Sequence, residues 1–228
     1  MIADKKEFYG GLGLLIGFTV ILAVIFSPVF NGQNGLEYLD DLYNSISKGS
    51  AYYIPKVKKE TDTFAGKSVS ATIEMADEGR AQQTAVLFMK GDALVNVSGS
   101  RLKIEGDLEK ILASCLADAD SMYANDGQTV AAKYGYNERQ VLYNWWQALK
   151  ALDKDLTSQK QFQAAKVVET VVTKAVETSY NYYQIEAQKI SDRAGVVFFS
   201  LAFYVVYTLW YGFAILFMFE GWGMKLEH

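Results

Sequence analysis

The stretch that decides the fold is Phe8–Phe30, FYGGLGLLIGFTVILAVIFSPVF, which has no Asp, Glu, Lys or Arg in 23 residues. About 20 apolar residues carry a helix across the hydrocarbon core of a bilayer, so this segment is long enough to span one. Near the other end, Ala194–Phe219, AGVVFFSLAFYVVYTLWYGFAILFMF, is equally free of charge. The pattern predicts a mainly α membrane protein, with transmembrane helices at 8–30 and 194–219. Between them, 31–193 is expected to be an extracytoplasmic helical domain with a small α+β insertion. The flanks 1–7 and 220–228 are then cytoplasmic tails.

The first segment reads as an uncleaved signal-anchor. Its apolar run exceeds the roughly 7–15 residues of a signal-peptide core, and Phe26-Ser27-Pro28-Val29-Phe30 offers no small-x-small cleavage site. Lys5 and Lys6 precede it, whereas Glu37, Asp40 and Asp41 follow it. The positive-inside rule counts only Lys and Arg, and so places both termini in the cytoplasm. Lys189 and Arg193 pull the other way, against Lys225 beyond the second span. In a Gram-negative bacterium the central domain would be periplasmic.

Each span carries a candidate packing face. Gly10, Gly13 and Gly17 share one helical face, and Gly13 with Gly17 makes a GxxxG pair that lets another helix approach. Glycine is common in membrane helices in any case. On the second span Ser200, Tyr204, Tyr207, Thr208 and Tyr211 recur at helical spacing as a hydroxyl-bearing stripe. Antiparallel spans put Tyr211 at the depth of Gly13–Gly17. The stripe is expected to pack on the first span or on a partner helix. A quinone, carotenoid or lipid in that groove is the sharper alternative.

The inventory of reactive groups narrows function further. Among 228 residues there is one histidine, His228, and one cysteine, Cys115. Protein-ligated haem, zinc and iron–sulfur centres need more His or Cys than this, and triad hydrolases need an imidazole inside the fold. No cofactor and no metal site is therefore expected, although a carboxylate-only Mg²⁺ or Ca²⁺ site is left open by the count. Asp118 and Asp120 are two apart on a helix, point in different directions and make a poor metal pair. The net charge of −4 and the lack of a basic stripe argue against nucleic acid as a partner. The ending Leu226-Glu227-His228 resembles a vector-derived tag junction.

Within the central domain, Asn34 and Glu37 form a capping box for a helix that runs to Gly49. Tyr52–Pro55 and the charged Lys56–Glu60 read as an exposed connection. Val69, Ala71, Ile73 and Met75 alternate with polar residues, the period of a half-buried strand. Asp77–Lys90 reads as a helix stopped by Gly91. Ala93–Ser98 and Arg101–Glu105 flank Gly99 as a hairpin, and Asp107 caps a helix that buries Cys115. Residues 67–125 thus read as a β-α-β-β-α module. Long helices are expected across 137–193: one capped by Asn137, and a second capped by Ser158 and Gln161. The absence of Pro and Gly up to Gly195 predicts that the second runs unbroken into the bilayer as a rigid stalk. Asn96-Val97-Ser98 matches a glycosylation sequon.

Tyr134, Tyr136, Trp145, Trp146, Tyr180, Tyr182 and Tyr183 cluster in this helical part as possible partner contacts, because aromatics are enriched at interfaces. The reading that follows is a non-catalytic accessory or scaffold subunit of a larger membrane complex, its partners being the lipid bilayer and other subunits or a second copy. The alternative is an extracytoplasmic ligand-binding sensor, since span, helical domain, span is similar to the topology of chemoreceptors and sensor kinases. With nine residues after Phe219, such a sensor would signal through a partner. An enzyme would depend on carboxylates, Tyr and Lys alone, and no spacing selects a set.

Overall fold

The computed structural model describes residues 2–224. The readings of His228, of Lys225 beyond the second span and of the tag-like ending lie outside the described residues. The chain forms two compact units: Ser50–Ile185, and the segments on either side of it.

In the flanking unit, α1 (Lys5–Ile25) starts at Asp4, whose carboxylate accepts from the Lys6 and Glu7 amides. It stops short of the expected Phe30, with Phe26 as C-cap and Pro28 two residues on, a position where proline often follows a helix end. α2 (Gly35–Ser50) carries the capping box as expected: Asn34 Oδ1 accepts from the Leu36 and Glu37 amides, and Glu37 returns to the Asn34 amide. α10 (Ile190–Gly221) has 32 residues and lies antiparallel to α1. Both α1 and α10 are long and apolar enough to cross a membrane, and only 6% of either apolar window is buried.

The other unit is mostly helical around a three-stranded antiparallel sheet of order β1-β3-β2. β1 (Ser68–Glu74) buries Val69, Ala71 and Ile73 and exposes the residues between, which is the alternation the sequence carries. α4 (Glu78–Lys90) is capped by Asp77 and ends at Gly91. β2 (Leu94–Ser98) and β3 (Arg101–Asp107) form a hairpin closed by Gly99-Ser100, with Gly99 at φ 59°, where a side chain would be strained. α5 (Leu108–Tyr123) starts at Asp107 and buries Cys115 completely. The 67–125 segment is therefore a β-α-β-β-α module.

α6 (Gly127–Tyr134) ends at Gly135 in the left-handed region, and α7 (Glu138–Ser158) is capped by Asn137. Trp145 of α7 sits wholly inside, its ring edge-on to Phe88 at 5.5 Å. Fully burying a side chain of the Leu or Phe kind stabilises by about 1.5–3 kcal/mol, and the interior here contains more than a dozen.

Two expectations fail. The supposed exposed connection is α3 (Ile54–Thr61), started by Pro55 in its first turn and burying Ile54, Val57 and Thr61. Its charged residues occupy one face only, so charge density misled. The unbroken stalk does not exist either. α7 ends at Ser158, whose hydroxyl bonds back to the Asp155 carbonyl instead of capping a new helix, and Lys160 turns the chain at φ 64°. α8 (Phe162–Val171) continues through a π-helical turn, Val172–Val176, into α9 (Glu177–Tyr182), and this run packs into the core.

Helix then stops at Tyr183, which is extended, and Gln184 takes φ 68°. No glycine or proline causes this. The Asn125 side chain accepts from the Gln184 amide at 2.8 Å and donates to the Ile185 carbonyl at 3.1 Å, so a tertiary partner 59 residues away ends the helix.

Candidate functional site

α7 carries Leu142, Tyr143 and Trp146 on one side, because residues three and four apart share a helical face. The π turn and α9 present Val176, Glu177, Tyr180 and Asn181 to them. Between the two lies a groove of about 330 Å³ lined by these seven residues. A π turn inserts one residue into the helical repeat and often marks functional positions. Here it comes immediately before Glu177.

One polar pair spans the groove. The Trp146 indole N–H donates to Glu177 Oε1 at 2.8 Å, bridging α7 and α9. Tyr143 stacks on Trp146 with centroids 5.8 Å apart and an angle of 24°. Lys150 Nζ lies 4.3 Å over Trp146, and the Arg80 guanidinium 5.4 Å over Tyr143. Arg139 covers Tyr180 at 5.7 Å. The ring faces are thus partly taken by internal cations, each such contact adding about 0.5–1 kcal/mol where exposed.

A second cluster is inward. Asp118 of α5, 3% exposed, accepts from Lys133 Nζ at 2.7 Å, from the Tyr134 hydroxyl at 2.6 Å and from Trp145 Nε1 at 2.8 Å. One carboxylate therefore ties α5, α6 and α7 together, and a buried charge with this many donors is stable where an unpaired one would not be. Burial, then the neighbouring Asp118, raises the Tyr134 phenol well above its ordinary range. Burial likewise holds the Cys115 thiol up, next to the same carboxylate, so this sulfur is a structural one. Asp120 faces elsewhere and accepts from the Tyr52 hydroxyl at 2.7 Å.

The aromatic residues singled out from the sequence thus divide. Trp146 and Tyr180 line the groove. Trp145 has no exposed surface, and Tyr134 is spent on Asp118. Tyr136 is half-buried and receives a hydrogen bond from Asn144 at 3.4 Å. Tyr182 sits edge-on to Tyr123, and Tyr183 is buried and donates to Glu138 at 3.0 Å. Tyr143 and Glu177 were missed. The signal for Tyr143 was present, three before Trp146 on α7, whereas Glu177 required knowing that α9 folds back.

In the helix pair, Gly10 and Gly13 face open space, and Gly17 meets the Trp210 ring. The close approach is made instead by Gly11, where a Cβ would lie 2.7 Å from the Met218 amide and 2.8 Å from the Ala214 carbonyl. Gly221 is pressed in the same way against Phe8. Of the hydroxyl stripe, Tyr207 stacks on Phe18 at 4.5 Å, Tyr211 lies 5.1 Å from the same ring, and Ser200 bonds the Tyr43 hydroxyl at 2.7 Å. Tyr204 is 67% exposed, and Thr208 bonds back to the Tyr204 carbonyl. Trp210 donates to the Leu14 carbonyl at 3.0 Å, an anchor not foreseen.

No family model matches the chain, and neither curated proteins nor solved structures give a match.

Proposed function

We propose that the protein is a two-pass integral membrane protein acting as a non-catalytic accessory or scaffold subunit of a larger membrane assembly. Both tails lie in the cytoplasm and the Ser50–Ile185 unit is extracytoplasmic. The observation that supports this is the outward apolar surface of α1 and α10. Phe198 is 76% exposed, Phe199 66%, Leu201 59% and Val20 58%. Soluble monomers rarely expose contiguous apolar patches beyond a few hundred Å², and an outward apolar surface suits lipid or partner helices.

The test has two stages. Membranes from cells expressing the full chain are washed with alkaline carbonate, and the chain should stay in the pellet. Extraction in mild detergent followed by native mass measurement should then give a species heavier than one chain. A lone monomer would sink the subunit reading.

A ligand-binding sensor is the second reading, favoured by the 330 Å³ groove with Glu177 at its wall. Thermal-shift screening of the detergent-purified chain separates the two. A small molecule that stabilises the wild type but not a Trp146→Ala variant would favour the sensor.

A further inference from the structure

The sheet has two outer strands, and the chain treats their free edges differently. On β1 the Thr72 amide donates to Asp155 Oδ2 at 3.3 Å, and the Ser70 carbonyl accepts from Gln159 Nε2 at 2.9 Å. Asp155 lies in the last turn of α7 and Gln159 is its C-cap, so this edge is closed. Because Ser70 and Thr72 turn their backbone groups away from β3, Ala71 and Ile73 turn theirs toward it, opposite Ile104 and Leu102. Antiparallel pairing alternates, so Arg101, Lys103 and Glu105 bond the other way, to Ser98, Asn96 and Leu94 of β2. The N–H and C=O of Val95 and Val97 are left pointing out of the sheet. Among the described residues nothing bonds to them.

This edge also lacks the usual guards. Leu94-Val95-Asn96-Val97-Ser98 contains no charge and no proline, and Leu94 is 75% exposed. Charged residues and prolines are what natural edge strands use to prevent pairing. We propose that β2 pairs antiparallel with β2 of a second copy of this chain, about a two-fold axis through Asn96.

The choice of occupant follows from the strand itself. Under that two-fold operation Val95 meets Val97 of the second copy, and Val97 meets its Val95. All outward N–H and C=O groups of both residues then close as reciprocal pairs, while Asn96 faces its own equivalent in the close, non-hydrogen-bonded position. Leu94 comes opposite Ser98. A two-fold axis sets like beside like, so a charged edge strand would repel itself, and β2 carries no charge. A five-residue seam is small. Its occupancy rests on the membrane reading above, because confinement in a bilayer raises the effective concentration of a second copy.

The experiment is thiol crosslinking of the full chain in native membranes, with Asn96→Cys oxidised by diamide and resolved on a non-reducing gel. Directly opposed Cα atoms of about 4.5 Å separation fall within disulfide reach. Lys103→Cys lies on the same face of β3, three strand spacings or about 14 Å from its equivalent, and serves as the control. Expected are a dimer at Asn96→Cys, none at Lys103→Cys, and at least a fivefold loss when Val97→Pro is added. That proline removes an outward N–H, which an edge position tolerates. Absence of the dimer, equal crosslinking at Lys103→Cys, insensitivity to Val97→Pro, or crosslinking to a different protein would each overturn the proposal. A chain found in the soluble fraction would count against the membrane reading alone, and the crosslink would then be read at matched monomer concentration.

Discussion

The helix pair and the Ser50–Ile185 unit use the same apolar residue types and put them in opposite places. In the helix pair Phe198, Leu201 and Val20 look outward, and the closest backbone approaches are made at Gly11, Ala214 and Gly221. In the other unit Phe88, Leu112 and Trp145 are fully enclosed, and glycines such as Gly66, Gly99 and Gly135 serve turns and helix ends. On the membrane reading proposed above, each part is fitted to its own solvent. Water drives large side chains inward, whereas in hydrocarbon that drive vanishes and small residues give the closest packing.

The largest effect is expected at Trp145. Trp145→Ala should destabilise the Ser50–Ile185 unit by about 3–5 kcal/mol, through lost packing and a missing donor to Asp118. Urea unfolding of the detergent-purified chain measures this. Gly11→Leu comes next. With backbone atoms at 2.7–2.8 Å from a Cβ there, α1 and α10 must separate, at a cost of about 1–3 kcal/mol. Gly10→Leu, which faces open space, should leave the pair intact. Loss of the Trp210 fluorescence environment in the first variant alone would confirm the asymmetry.

A pH titration probes the interior of the Ser50–Ile185 unit. Burial pushes the Tyr123 phenol up to about 12, from an ordinary value of 10.0, and raises Tyr134 as well. Folded values above the unfolded one mean that this stability is fully present below about pH 10 and lost as pH rises through the folded values. Phenolate absorbance should therefore lag behind that of free tyrosine and rise with unfolding. The smallest effect is expected at Phe198→Ala. Exposed as that side chain is, unfolding of the Ser50–Ile185 unit should shift by less than about 0.5 kcal/mol.

Much of the fold was legible because local chemistry decided it. The caps at Asn34, Asp107 and Asn137, the stop at Gly91 and the alternation of β1 all depend on residues within a few positions of one another. The break after Tyr182 was illegible because Asn125 makes it from far along the chain. Gly11 was overlooked for Gly10, Gly13 and Gly17 because a face of glycines is not evidence of a neighbour. Its closeness to Ala214 depends on how α1 and α10 rotate about their axes. In the groove, Trp146 and Tyr180 were visible as aromatics. Seeing that they share a wall, and that Trp146 bonds Glu177, needed the fold-back of α9.

Asp155 and Gln159, by sealing β1, limit how far this sheet can grow. With one flank plugged, any strand that docks must use the other, and a symmetric docking consumes both vacant flanks at once. The association therefore terminates itself at a pair, where a sheet with two sticky sides would polymerise into fibres.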